Sequence, residues 1–198
     1  LGLLLARAGV DVTVIEKHTD FLRDFRGDTI HPSTLEAMAQ LGYLDEFLAL
    51  PHQKAPTLHA EIAGREATIA DFSRLPTRCK YIAFMPQWDF LDFLARKAAA
   101  YPGFRLEMGS EVIGLVERGG IVTGVDIGSA DGSVRRLEAT LVVGADGRGS
   151  VVRTSADLEV EHLDSSTDVL WMKLPRQPDD PVPSMSHAGP SQGLVMID

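Results

Sequence analysis

The first sixteen residues constrain the fold more than any other stretch. Leu1 to Ala8 is rich in Leu and Ala, strong helix formers, and Gly9 supplies the left-handed turn that ends a helix. Val10 to Glu16 then alternates and branches at Cβ, as a buried strand does. Helix, short turn and a strand with an acidic end make the second half of a βαβ unit, so an α/β architecture is expected. A carboxylate at that strand end can accept both hydroxyl hydrogens of an adenosine ribose. By position alone Glu16 would equally suit any NAD dehydrogenase, or be a solvated strand end. A G-x-G-x-x-G turn belongs roughly 20 residues before such an acid. That puts it upstream of Leu1, and the absence of an initiator Met points the same way: the sequence is expected to be an internal piece, truncated at both ends.

Downstream, Pro32 to Gly42 predicts a capped helix and Asp45 to Leu50 a short one. Leu58–Ile62 and Glu66–Phe72 predict two strands around an Ala63-Gly64 hairpin turn, which breaks the α/β alternation. Between Trp88 and Ala100, Phe90, Leu91, Phe93, Leu94 and Ala98 fall on one helical stripe, and Tyr101-Pro102-Gly103 stops it. Four strands follow, near Arg105–Met108, Val112–Glu117, Val122–Ile127 and Val134–Leu137, expected as one antiparallel meander. Leu141–Gly144 reads as a fully apolar strand before a glycine-rich turn and a brief helix to Ser155. Further strands are expected at Val169–Leu174 and Leu194–Ile197.

Composition narrows the partners. A formal charge of −9 with a sequence pI near 5.1 repels phosphate backbones and anionic lipid, which argues against nucleic acid and membrane partners and for a small molecule. No apolar run approaches the roughly 20 residues that span a bilayer. The single Cys79 forms no internal disulfide, so a cytoplasmic location is expected. No Cys/His spacing fits a metal and no Gly-x-Ser-x-Gly elbow suggests a hydrolase; the six histidines are scattered.

Taken together, the Glu16-Lys17 pair, Arg26-Gly27-Asp28-Thr29, Gln87 at a helix start, and Gly144-Ala145-Asp146-Gly147-Arg148-Gly149-Ser150-Val151-Val152-Arg153 exceed what a simple dehydrogenase needs. The set resembles the para-hydroxybenzoate hydroxylase family of flavoprotein monooxygenases over essentially the whole chain. That resemblance implies a Rossmann-type FAD-binding domain with an interleaved, mostly antiparallel substrate-binding sheet. Residues 1–53 and 84–155 would form the first, and 54–83 with 156–198 part of the second. It implies that Glu16 binds the adenosine ribose, while Arg26 and Gln87 reach the ribityl and pyrophosphate region. A permanently charged planar fork suits phosphate oxygens, and an amide offers both donor and acceptor to a hydroxyl. Asp146 and Gly147 would meet the pyrophosphate, with the main chain near Val112 beside the adenine. Lys17 is a further cofactor-binding candidate, and Arg148 and Arg153 could attract a nicotinamide cofactor's phosphates or be ordinary surface or packing arginines.

The implied activity is hydroxylation of an aromatic or similar small apolar substrate with FAD, NADH or NADPH, and O2. The flavin performs the oxygen chemistry, so no catalytic side chain is assigned. A non-hydroxylating flavin oxidoreductase of the same fold and a non-catalytic fragment are the rival readings. The isolated 198 residues are expected to be inactive, and oligomer formation by the full-length protein is left open.

Overall fold

The computed structural model describes residues 1–22, 28–129, 132–161, 163, 168–170, 172, 175, 177, 185–189 and 192–196. In chain order the elements are α1 (Gly2–Arg7), β1 (Val12–Glu16), β2 (Thr29–Ile30), α2 (Pro32–Leu41), α3 (Leu44–Leu48), β3 (Gln53–Ala55), β4 (Thr57–Ile62), β5 (Arg65–Asp71) and β6 (Ile82–Phe84). They continue with α4 (Gln87–Ala99), β7 (Phe104–Met108), β8 (Glu111–Arg118), β9 (Ile121–Gly128), β10 (Val134–Glu138), α5 (Val151–Ser155), β11 (Met185–Ala188) and β12 (Gly193–Val195). Packing divides the chain into two compact units, Leu1–Leu22 with Leu94–Val169, and Arg23–Phe93 with Leu170–Asp198.

In the first unit α1 buries Leu3 and Ala6 and turns through Gly9, at φ 81°, into β1. β1 pairs in parallel with β7, from Val12 opposite Phe104 to Glu16 opposite Met108. A Cβ on Gly2 would stand 2.8 Å from Val14 Cγ2 and 3.2 Å from Phe104 Cε2, so only a bare α-carbon lets α1 lie this close. β8, β9 and β10 form an antiparallel meander whose buried side chains are Val116, Val125 and Ile127. Arg136 on β10 faces Asp126 on β9 and its Nε donates to Oδ1 at 3.0 Å, an opposite-charge cross-strand pair.

Two strand expectations are corrected here. The four-strand meander is three strands, because β7 leaves it for β1. Alternation at 104–108 marks a strand without naming its neighbour. The Tyr101-Pro102-Gly103 turn delivers Phe104 beside Val12, whose N–H donates to Gly103 O at 2.9 Å. Leu141–Gly144 forms no ladder among the described residues and leaves Leu141 76% and Val143 55% exposed. An apolar run supplies the side chains of a buried strand but cannot satisfy its own backbone.

The second unit holds a sheet of order β2-β6-β3, a second of order β12-β11-β4-β5, and the helices α2 and α3. β6 is buried at all three positions. Leu35, Phe47 and Phe93 are fully buried, and the Phe47 ring meets Phe90 and Phe93 at 5.6 and 5.2 Å between centroids. The expected hairpin is present, with Ala63 at φ 51° and Gly64 at φ 75° between β4 and β5. The three-stranded sheet was not legible in the sequence, since its members are two or three residues long. The expected strand at Leu194–Ile197 is β12, paired antiparallel with the unforeseen β11; Ile197 lies outside the described residues. Of the strand expected at Val169–Leu174, Val169 and Leu170 are exposed and in no ladder, and Trp171, Lys173 and Leu174 lie outside the described residues.

Candidate functional site

The carboxyl end of β1 is the first element of the site. Ligands of open α/β sheets bind beyond the carboxyl ends of parallel strands, where the chain reverses. Glu16, half-buried, is the last residue of β1, and its Oε1 accepts the His18 N–H at 2.9 Å. Its main-chain oxygen accepts the Ser110 N–H at 3.1 Å, and Gly109 N–H reaches His18 O at 2.8 Å. The β7–β8 turn therefore pins this end of β1 and brings the start of β8, with Val112 opposite Ile127, beside it. Lys17 is exposed at the same end. A half-buried carboxylate fixed at a parallel strand end is an acceptor set for vicinal hydroxyls, which fits the ribose of a dinucleotide.

The second element is the loop from Gly144 to Ser150. Asp146 takes the Ser150 hydroxyl on Oδ1, and on Oδ2 the backbone N–H groups of Val151 at 2.7 Å and Val152 at 3.2 Å. Ser150, only 6% exposed, in turn accepts the Arg153 N–H at 3.0 Å and so caps α5. Burial pushes the Asp146 carboxyl upward most strongly of any single influence. The Ser150 hydroxyl and the backbone N–H groups of Val152, Asp146 and Val151 together outweigh it, and the net value lies below the ordinary carboxylate range. Gly144 permits the packing, since a Cβ there would meet Val152 Cβ and Cγ1 at 2.9 Å. Gly147 holds φ 83° and is exposed, its backbone open to approach. The Arg153 guanidinium donates to Arg148 O, which braces this same loop.

In the second unit, Gln87 opens α4 half-buried, and its N–H donates to Asp28 Oδ1 at 3.2 Å. Arg26 lies outside the described residues. A cavity of about 130 Å³ in this unit is lined chiefly by Leu58, Ile82, Phe84, Val195 and Met196, with Thr29, His59 and Ser186 at its polar edge. The His59 ring is held by the Thr57 and Thr68 hydroxyls at 3.0 and 3.3 Å.

Of the residues expected from sequence, Glu16, Lys17 and Val112 gather at one strand end, Asp146 and Gly147 share a loop, and Gln87 belongs to the other unit. Two supporting residues, Ser150 and Asp28, stood in the quoted motifs but received no role from sequence. Ser150 carried a signal, a serine directly before a helix. Asp28 carried none toward Gln87, because the two are 59 residues apart. Among the described residues no group of three or more His, Cys, Asp or Glu could hold a metal, and no helix is long and apolar enough to cross a membrane.

These features define a Rossmann-type dinucleotide-binding chain with an added antiparallel sheet. A family profile described as an FAD binding domain matches residues 1–192, and the chain belongs to that family; its cofactor is FAD. Over 176 residues it is 36% identical to a 6-methylpretetramide 4-monooxygenase of Streptomyces rimosus, covering 88% of this chain and 42% of that protein. It is 35% identical over 158 residues to a rifampicin monooxygenase of Streptomyces venezuelae, covering 77% and 31% respectively. The solved structure of the OxyS anhydrotetracycline hydroxylase from Streptomyces rimosus matches with a TM-score of 0.70 at 26% identity, over 82% of this chain and 32% of that one. The chain thus spans about two fifths or less of the length of these relatives. The likeness to flavoprotein monooxygenases expected from the motifs is borne out.

Proposed function

We propose that the whole protein is an FAD-dependent monooxygenase that uses NADH or NADPH and O2 to hydroxylate an aromatic or similar small apolar substrate. The observation that carries this reading is Glu16, a half-buried carboxylate fixed at the carboxyl end of a parallel strand, within a chain 36% identical over 176 residues to a 6-methylpretetramide 4-monooxygenase. Bound FAD supplies acceptance of two electrons and reaction with oxygen, chemistry that no protein side chain provides.

The chain's own work is binding and positioning. Glu16 would accept hydrogen bonds from the ribose hydroxyls, and the main chain near Val112 would serve the adenine. Lys17 adds a positive charge at the same end. Arg26 would serve the pyrophosphate oxygens and Gln87 a polyol hydroxyl. Asp146 orders the loop in which Gly147 presents open backbone to the cofactor. Residues 1–53 and 84–155 serve FAD, and 54–83 with 156–198 serve the substrate. An open, apolar hollow of about 130 Å³ with a histidine edge lies among the strands β4, β6 and β11. A cytoplasmic location agrees with one buried free cysteine and with a supply of reduced nicotinamide.

The test is made on the full-length protein. Purified protein should be yellow and release FAD. With NADH or NADPH and a panel of phenolic and polycyclic aromatic compounds, it should consume O2 and yield a product carrying one added oxygen atom. Flavin binding with nicotinamide oxidation but no oxygenated product from any ring would favour a non-hydroxylating oxidoreductase, and colourless protein would end both readings.

A further inference from the structure

The start of α4 has a proline in its capping position. Asp89 N–H and Phe90 N–H both point back to Pro86 O, at 3.1 and 3.5 Å, so Pro86 occupies the capping position. A proline there has no side-chain acceptor for the N–H groups of the first turn. The acceptor comes from 59 residues away, where Asp28 Oδ1 takes the Gln87 N–H at 3.2 Å. Asp28 is itself fixed. Its main-chain oxygen accepts the Met85 N–H at 3.0 Å, which continues the β2–β6 ladder in which Thr29 faces Phe84 and Ile30 faces Ala83. β6 is wholly buried and Met85 is 2% exposed, so Asp28 is tied to a buried strand.

We infer that Asp28 is the positioning residue for Gln87: its carboxylate, registered on a buried strand, sets where α4 begins and hence where the Gln87 amide is presented to the cofactor. The inference rests on the reading of Gln87 as an FAD ligand given above. The carboxylate also answers the partial positive charge at this helix end. What α4 offers the cofactor is therefore the Gln87 side chain rather than an open helix terminus. Substitution of Asp28 leaves the Gln87 amide in the molecule but removes the hydrogen bond that fixes its backbone, and angular errors at a helix start are carried directly to a side chain on its first residue.

The experiment is a double-mutant cycle on the full-length apoprotein titrated with FAD, using Asp28→Ala, Gln87→Ala and the pair, with Asp28→Asn as the conservative variant and apoprotein melts in parallel. Asp28→Ala should weaken FAD binding about tenfold, the equivalent of one hydrogen bond. Asp28→Asn, which keeps the Oδ1 acceptor, should stay within about threefold of wild type. The double variant should bind no more weakly than Gln87→Ala alone, because the two residues act through one contact. Should Asp28→Ala fail to fold, Asp28→Glu, which shifts the carboxylate by one methylene, carries the same cycle. Additive losses, or wild-type affinity in Asp28→Ala beside a weakened Gln87→Ala, would overturn the positioning role while leaving Gln87 a ligand. Wild-type affinity in Gln87→Ala would instead remove Gln87 from the site, and the positioning role with it.

Discussion

Replacing Asp146 by Ala removes three hydrogen bonds at once, from the Ser150 hydroxyl and from the backbone of Val151 and Val152. The two backbone groups stand where water can replace the carboxylate, so their loss is partly compensated. Ser150 is 6% exposed, and its hydroxyl has no such substitute. Losing a helix cap costs about 0.5–2 kcal/mol and stranding a buried donor about 1–3 kcal/mol, so a net loss of about 2 kcal/mol is expected. For a cooperative unit of about 150–250 residues that lowers the melting temperature by about 4–8 °C, and by less in a larger one. The assay is calorimetry of the apoprotein, wild type against Asp146→Ala and Asp146→Asn. The pH dependence gives a second readout. The folded-state carboxyl titrates below its ordinary range, so its contribution is fully present above the unfolded value near pH 4 and is lost as pH falls through the folded value. The gap between wild type and Asp146→Asn should therefore close on acidification. An unchanged apoprotein melt together with weaker FAD binding would refute the reasoning, because Asp146 would then act on the ligand and not on its own loop.

Glu16→Ala should weaken FAD binding by at least tenfold in titration calorimetry, since hydrogen bonds to a charged acceptor contribute about 1.5–3 kcal/mol each; equal affinity would take Glu16 out of the site. Gly144→Ala should destabilise the protein by about 1–3 kcal/mol in thermal melts, because the new Cβ would stand 2.9 Å from Val152 Cβ and Cγ1. A neutral Gly144→Ala would mean that α5 shifts freely against the loop.

The half-unit of helix, Gly9 turn and strand, the α2 and α4 stripes, and the Ala63-Gly64 hairpin were all legible in the sequence, because period, caps and turn residues act within a few positions. The family was legible too, since its motif residues follow one another in chain order whatever their contacts. Tertiary structure alone decided which strand takes which neighbour. Residues 104–108 alternate like their meander companions, yet they pair with β1, about 90 positions earlier. Leu141–Gly144 has the composition of a buried strand and forms no ladder among the described residues. The same holds for side-chain partners: Asp146 turns back on Ser150 and the start of α5, and Asp28 caps a helix 59 residues away. Local pattern dictates which face of an element is apolar and where the element stops. The identity of its hydrogen-bond partner depends on which distant backbone is brought within about 3 Å, a distance that only the assembled chain defines.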